Sequence, residues 1–210
     1  MGKIRNSRIL HRNQRQIFSK RPHVSKTTAV RSRRAYFDTR FGQLHVRTAF
    51  PGTGGFDEHT TLLCIHALNG ARPSSRVFAP LLALIAVDRS AYALDRPGCG
   101  ESDGSAQGGV SAHAQAVSDL AADLRLRKID LLGVEDGCEV AVELALSQPE
   151  LVRRVVLAQH GAVERAAQAK QPTLLLRLGE TGSQCEFEAE AFTANPAAIV
   201  KAVGPFLNQR

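Results

Sequence analysis

The 210-residue chain carries 27 Lys and Arg against 20 Asp and Glu, a formal net charge of +7. Residues 1–37 hold 11 of the basic residues and none of the acidic ones, which leaves 16 basic against 20 acidic in the rest. A mildly acidic body excludes reading the basic pI as the mark of a domain that binds nucleic acid over its whole surface. No apolar run approaches the ~20 residues of a membrane helix; the longest candidate, residues 78–87, contains Pro80.

The chain opens with a basic arm, residues 1–34, in which apolar residues are scattered and never form a run. It is not a secretory signal. Its Arg-rich, acid-free composition leaves two readings: a disordered tail on a cytoplasmic protein, or a mitochondrial or plastid transit peptide. Contact with nucleic acid or an anionic membrane surface through residues 1–34 is a weaker third.

Residues 35–210 suffice for one domain with a proper core. Residues 36–38 and 43–49 read as two strands of an opening hairpin around Phe41-Gly42. A buried-type strand at 61–65 follows, then a helix capped by Ser74 or Ser75 that carries Val77, Phe78, Leu81, Leu82 and Leu84. Next come a strand at 91–94, an amphipathic helix at 111–127, a strand at 129–134, a helix at 137–148 stopped by Pro149, and a strand at 152–158. A short helix at 162–170 leads to a strand and turn at 172–182. Residues 185–191 alternate apolar with Glu, as an edge strand does. Only six residues separate them from Leu178, too few for a parallel crossover of roughly a dozen, so the segment is expected to run antiparallel or to be helical. A helix at 197–207 closes the chain. Strand and helix in alternation imply α/β architecture: a mainly parallel sheet with helices on both faces, whose ligands gather at the carboxyl ends of the strands. Cys64, Cys99, Cys138 and Cys185 lack paired C-x-x-C spacing and read as buried or incidental thiols.

Gly133-Val134-Glu135-Asp136-Gly137 lies between a strand and a helix, with glycines flanking a turn too tight for a Cβ. Three other blocks accompany it in order: residues 36–45, Leu63-Cys64-Ile65-His66-Ala67, and Leu94-Asp95-Arg96-Pro97-Gly98-Cys99-Gly100-Glu101-Ser102-Asp103. Together, over roughly residues 35–160, they resemble the α/β-hydrolase-fold superfamily, and the D-x-P-G-x-G-x-S-D block is the most specific. The resemblance implies a protein related to hydrolases of small esters, amides or similar substrates. It makes residue 135 the nucleophile position of an elbow and assigns the oxyanion-hole N–H groups to Leu68 and Asp136. It gives His66 and Asp95 structural roles in the pocket.

Three departures from that pattern bear on chemistry. The elbow carries Glu135 where serine is usual. Relatives that open epoxides use aspartate there, but an added methylene displaces the carboxylate, and ~1 Å of misplacement can cost ~100-fold. An inert Glu135 carboxylate filling the oxyanion hole is therefore the first expectation, favoured further by the helix N-terminus beneath it. Second, no histidine follows His160, although the resemblance places the base late in the chain, near Thr193-Ala194-Asn195-Pro196. His160 is the one substitute, as a carboxylate–histidine pair with Glu135 able to activate water. Third, the acid position falls on Gly182, leaving Glu180 as an off-register candidate. About fourteen residues between the strands at 152–158 and 173 leave no room for the helical cap that encloses small substrates in relatives. Glu135 and Asp136 alone are too few ligands for a metal, and nothing calls for a cofactor. The expectation is a family member with a degenerate triad and weak or no hydrolysis, bound to a small molecule or a protein partner. The alternative is an active esterase-, epoxide hydrolase- or dehalogenase-like enzyme that uses Glu135 and His160.

Overall fold

The computed structural model describes residues 29–52, 59–68, 73–159, 164–179, 187–188 and 191–209. Eight strands form one sheet in the order β1-β2-β4-β3-β5-β6-β7-β8. They are β1 (Arg31–Thr39), β2 (Gly42–Phe50), β3 (Thr61–Ile65), β4 (Ala91–Leu94), β5 (Ile129–Val134), β6 (Val152–Gln159), β7 (Thr173–Gly179) and β8 (Phe187–Glu188). The β1–β2 hairpin and the β2–β4 pair are antiparallel, and every other pairing is parallel.

The central strands β3, β4 and β5 are buried along their whole length, because helices cover both faces. Alternate residues of one apolar run therefore serve two cores. Leu63 and Ile65 pack with Leu131 beneath α2 (Gly109–Asp123) and α3 (Gly137–Ser147). Leu62 and Cys64 pack with Leu132 beneath α1 (Ala79–Ile85) and α5 (Pro196–Leu207). A short α4 (Ala191–Ala194) precedes α5, whose start is fixed by Pro196 and by the Asn195 side chain accepting from the Ala198 N–H at 3.3 Å. At the amino-terminal ends of the strands the fully buried Asp130 is held by both Nε and Nη2 of Arg153, at 2.9 and 2.5 Å. Arg153 also donates to the Leu207 carbonyl at 2.6 Å, which anchors the closing helix to the sheet.

Four details differ from the sequence reading. The sheet reaches back into residues 31–34, which had been assigned to the arm: they pair with residues 47–50. Their side chains are exposed, and a charged edge strand needs only its backbone ladder to form. Residues 1–28 lie outside the described residues. The helix expected at 111–127 spans Gly109–Asp123 and ends where Arg125 takes a left-handed φ of 55°. In the segment expected as a helix at 162–170, of which 162–163 lie outside the described residues, the structure shows a short 3-10 helix, Glu164–Gln168. Finally, β8 pairs parallel to β7, with Leu178 opposite Phe187, and is neither antiparallel nor helical. A two-residue ladder explains this: the chain retraces two residues of strand, about 7 Å, instead of the full length that demands a long crossover.

Candidate functional site

The turn between β5 and α3 is built as an elbow. A Cβ at Gly133 would lie 2.6 Å from the Gly137 carbonyl oxygen, and one at Gly137 would lie 2.5 Å from that of Ile65, so both positions require glycine. Between them Glu135 is held at φ 51°, a left-handed conformation rare for a side chain of its size. Its N–H donates to Ala158 at 2.8 Å and its carbonyl accepts from Cys138 at 2.9 Å, which secures the turn to β6 and α3. The residue at the nucleophile position thus projects at the carboxyl edge of the sheet, next to the loop that leaves β3.

In that loop one donor of the expected oxyanion hole already has a partner within the protein. The Leu68 N–H, expected to point at a substrate oxygen, donates to Asp136 Oδ1 at 2.8 Å. The other oxygen, Oδ2, takes the Arg96 guanidinium at 2.8 Å. It is the Asp136 side chain, and not the Glu135 carboxylate expected there, that occupies the Leu68 donor. Arg96 is almost fully buried and also donates to the His66 carbonyl at 3.2 Å, so the elbow, the β3 loop and the β4 loop meet on one guanidinium. Arg96 stands second in the D-x-P block. A basic residue at that position next to a buried strand end was the one signal that could have prompted a search for its carboxylate partner.

His66 is structural for a reason visible in its hydrogen bonds. Its Nε2 accepts from the Arg96 N–H at 3.0 Å, so the proton sits on Nδ1, which donates to the Ala67 carbonyl at 2.6 Å. The lone pair that a general base would use is already engaged. Burial, aided by the Arg96 charge, pushes its pKa below the usual histidine value and outweighs the Ala67 carbonyl. A second buried histidine, His113 of α2, was not singled out from sequence. Its Nε2 donates to the Ala106 carbonyl at 3.1 Å, and burial together with the Arg96 charge again lowers its pKa.

Asp95 is the centre of the loop after β4. Its Oδ1 accepts from the Ser75 N–H at 2.5 Å, and Oδ2 accepts from the Glu101 N–H and from His45 Nδ1, both at 2.9 Å. Burial raises its pKa, but these hydrogen bonds together outweigh burial and hold the carboxyl below its ordinary range. Ser102 Oγ donates to the Asp95 carbonyl at 2.8 Å and accepts from the His45 N–H at 2.9 Å; Asp103 accepts from the Gln43 N–H at 3.0 Å. Asp95, Ser102 and Asp103 thus tie the loop after β4 to β2. The block is scaffold.

A cleft of about 550 Å³ opens beside the elbow, lined by His66, Ala67, Ser74, Val77, Val134 and Thr193. Thr193 comes from the stretch where the late histidine was sought. The other two candidates, His160 and Glu180, lie outside the described residues. With both Asp136 oxygens engaged, the Glu135–Asp136 pair offers no chelate, and among the described residues no three His, Cys, Asp or Glu side chains gather in one place. No described helix is long and apolar enough to cross a membrane. Cys64, Cys99 and Cys138 are free and buried, and burial raises all three thiols above the ordinary range.

Comparison with known proteins agrees with this geometry. Residues 60–175, just over half of the chain, match the family model described as alpha/beta hydrolase fold. Over 91 residues the chain is 32% identical to the "Putative carbamate hydrolase RutD" of Rhizobium rhizogenes, covering 42% of this chain and 35% of that protein. The chain therefore spans about a third of the length of this curated relative. A crystal structure described as a "putative hydrolase" from Bacillus subtilis superposes with a TM-score of 0.51 at 27% identity, over 61% of this chain and 44% of that one. A "predicted CIB-like hydrolase" from Thermoplasma acidophilum matches over 85% of this chain and 98% of its own, with a TM-score of 0.69 at 16% identity, and so speaks for the fold alone.

Proposed function

The chain belongs to the alpha/beta hydrolase fold family, and from that premise we propose that it is a degenerate member whose elbow has lost efficient hydrolysis while its cleft still binds a small molecule. One observation carries this reading. The Leu68 N–H, which would stabilise a developing oxyanion, is consumed by the Asp136 carboxylate, itself fixed by the buried Arg96. A substrate carbonyl would have to displace a charged acceptor from a charge-assisted network, and the negative carboxylate would oppose the negative charge of a tetrahedral intermediate.

Three further features support it. Glu135 brings no hydroxyl to the nucleophile position, His66 has no lone pair to lend, and no histidine occurs after His160. Preorganised donors alone leave roughly 10³-fold over water in triad enzymes stripped of their side chains. Here one of those donors is occupied as well.

The direct test is incubation with short-chain aryl esters, epoxides and haloalkanes. Turnover is expected to stay far below the ~1–10³ s⁻¹ of ordinary enzymes, and Glu135→Ser is expected not to create it. A second reading, an active hydrolase that uses Glu135 as nucleophile with His160 as base, is favoured by one observation: a bulky residue is kept at φ 51°, and strain of that kind clusters at working sites. Turnover at ordinary rates that is abolished by Glu135→Gln or His160→Ala would establish this second reading and end the first.

A further inference from the structure

A second cavity, of about 760 Å³, lies on the side of the β1–β2 hairpin that faces the turn before α1. Arginines from three separate elements line it: Arg34 of β1, Arg47 of β2 and Arg76 of the 3-10 turn Ser75–Phe78. Two carboxylates share its wall, and both are already engaged. Asp95 is saturated by Ser75, Glu101 and His45. Glu101 accepts from the Tyr36 hydroxyl at 2.6 Å and from Arg34 at 3.3 Å. Arg47 and Arg76 have no acidic partner among the described residues.

The placement of Arg47 is what calls for an explanation. Arg34 and Arg47 stand directly opposite in the antiparallel register, so their side chains leave the same face of the hairpin about 5 Å apart at Cβ. Like charges in that position repel each other and weaken a hairpin. Along β2 the same face carries the buried His45 and Ala49 on either side, and the Arg47 Nε–H is buried with no hydrogen-bond partner. A half-buried guanidinium whose Nε–H lacks an acceptor, facing a like charge, is better satisfied when an anion completes it. Arg34 lies at the exposed edge and reaches Glu101; Arg76 approaches from another element. Planar guanidinium forks match the paired oxygens of phosphate and carboxylate.

We infer that the cavity bounded by Arg34, Arg47 and Arg76 binds the oxyanion end, a phosphate or a carboxylate, of a small soluble ligand. The arginines converge inside a concavity of metabolite size, whereas a polynucleotide or a membrane surface would be met by a convex basic stripe. Pro73, Ser74 and Arg76 line this cavity and the cleft beside the elbow alike, so a ligand anchored here by its anion extends toward Glu135. The inference does not depend on whether the elbow hydrolyses anything.

The test is calorimetric titration of the full chain with inorganic phosphate and, separately, acetate, alongside thermal midpoints in phosphate or chloride at matched ionic strength. Phosphate or acetate is expected to bind and to raise the midpoint where chloride does not; whichever binds assigns the anion. Arg76→Ala, at an exposed position, is expected to fold as the parent does and to weaken binding several-fold. Arg47→Gln is expected to abolish binding and, with no anion present, to raise the midpoint by removing the cross-strand repulsion. Equal responses to chloride, or anion binding unchanged in both variants, would overturn the inference. So would cosedimentation with phosphatidylglycerol vesicles that is lost in Arg47→Gln while soluble phosphate and acetate have no effect, because the ligand would then be a membrane surface. None of these readouts involves turnover, so their failure leaves the reading of the elbow standing.

Discussion

Two turns at the same edge of the sheet, residues 95–103 and 133–137, face the same steric problem. Each forces the backbone against a neighbouring element and into the left-handed region. In the first, glycine takes every strained position: Gly98 at φ 74° and Gly100 at φ 55°, where a Cβ would come within 2.2 Å of the Ala106 nitrogen and 2.1 Å of Asp95 Oδ2 respectively. In the second, glycines take the two crowded positions, but the strained one belongs to Glu135. Each turn also rests on one aspartate. The Asp95 side chain is 2% exposed and gathers donors from Ser75, Glu101 and His45; the Asp136 side chain is 36% exposed and takes Leu68 and Arg96. The first turn retains its family pattern because that pattern is mechanical. The second keeps the same kind of glycine frame around a residue, Glu135, whose side chain the turn itself does not require.

The sharpest way to test that contrast is to remove both aspartates. Asp95→Ala strands two backbone N–H groups and His45 Nδ1 in a buried place, and is expected to cost about 3–5 kcal/mol in urea unfolding. Asp136→Ala leaves Arg96 its bond to the His66 carbonyl and lets water reach the vacated site, so about 1–2 kcal/mol is expected. Equal losses at the two positions would mean that the elbow is as structural as the loop, and the contrast would fail.

The same comparison shows what a sequence can disclose. The elbow frame and the mainly parallel sheet were legible, because glycine spacing and apolar runs register steric demands that act over a few residues. The Asp136–Arg96–Leu68 network was not legible, since it joins residues 28 to 68 positions apart and neither spacing nor periodicity records which carboxylate turns toward which N–H. Leu68 is the donor there, as expected, but its acceptor is the Asp136 side chain: a backbone assignment cannot foresee a side chain arriving first. The extra residues of β1 escaped notice for a different reason. Residues 31–34 are Arg-Ser-Arg-Arg, which no apolar pattern marks as a strand, and only pairing with β2 reveals them.

Acid should reach the buried histidines and the buried Asp95 at different pH. His66 and His113 have their pKa lowered by burial, so the unfolded chain takes up protons as pH falls through ~6.5 while the folded chain does not. Their contribution is complete above that pH and declines below it. Asp95, in the loop, has a folded pKa below its unfolded value, so its contribution persists until pH falls through ~4 and is lost lower still. Thermal midpoints between pH 8 and 3 are therefore expected to fall in two stages, the first softened by His113→Gln and the second unchanged by it. A single stage below pH 4 would show that these two histidines do not titrate as buried groups.

The smallest expected effect is at Glu135 itself. A side chain at φ 51° costs ~1–2 kcal/mol relative to a relaxed backbone, and glycine would relieve that strain while losing roughly 0.5–1 kcal/mol to the greater freedom of the unfolded chain. Glu135→Gly is thus expected to leave stability within about 1 kcal/mol of the parent, on the favourable side, measured by urea unfolding at pH 7. Glu135→Ala separates the two terms, because it keeps the strain and removes the carboxylate; it should come out less stable than Glu135→Gly. If glycine instead lowers stability by more than alanine does, the strain is not what Glu135 contributes. Losses of similar size in both variants would mean instead that its carboxylate holds the turn, and the elbow would be as mechanical as the loop after β4.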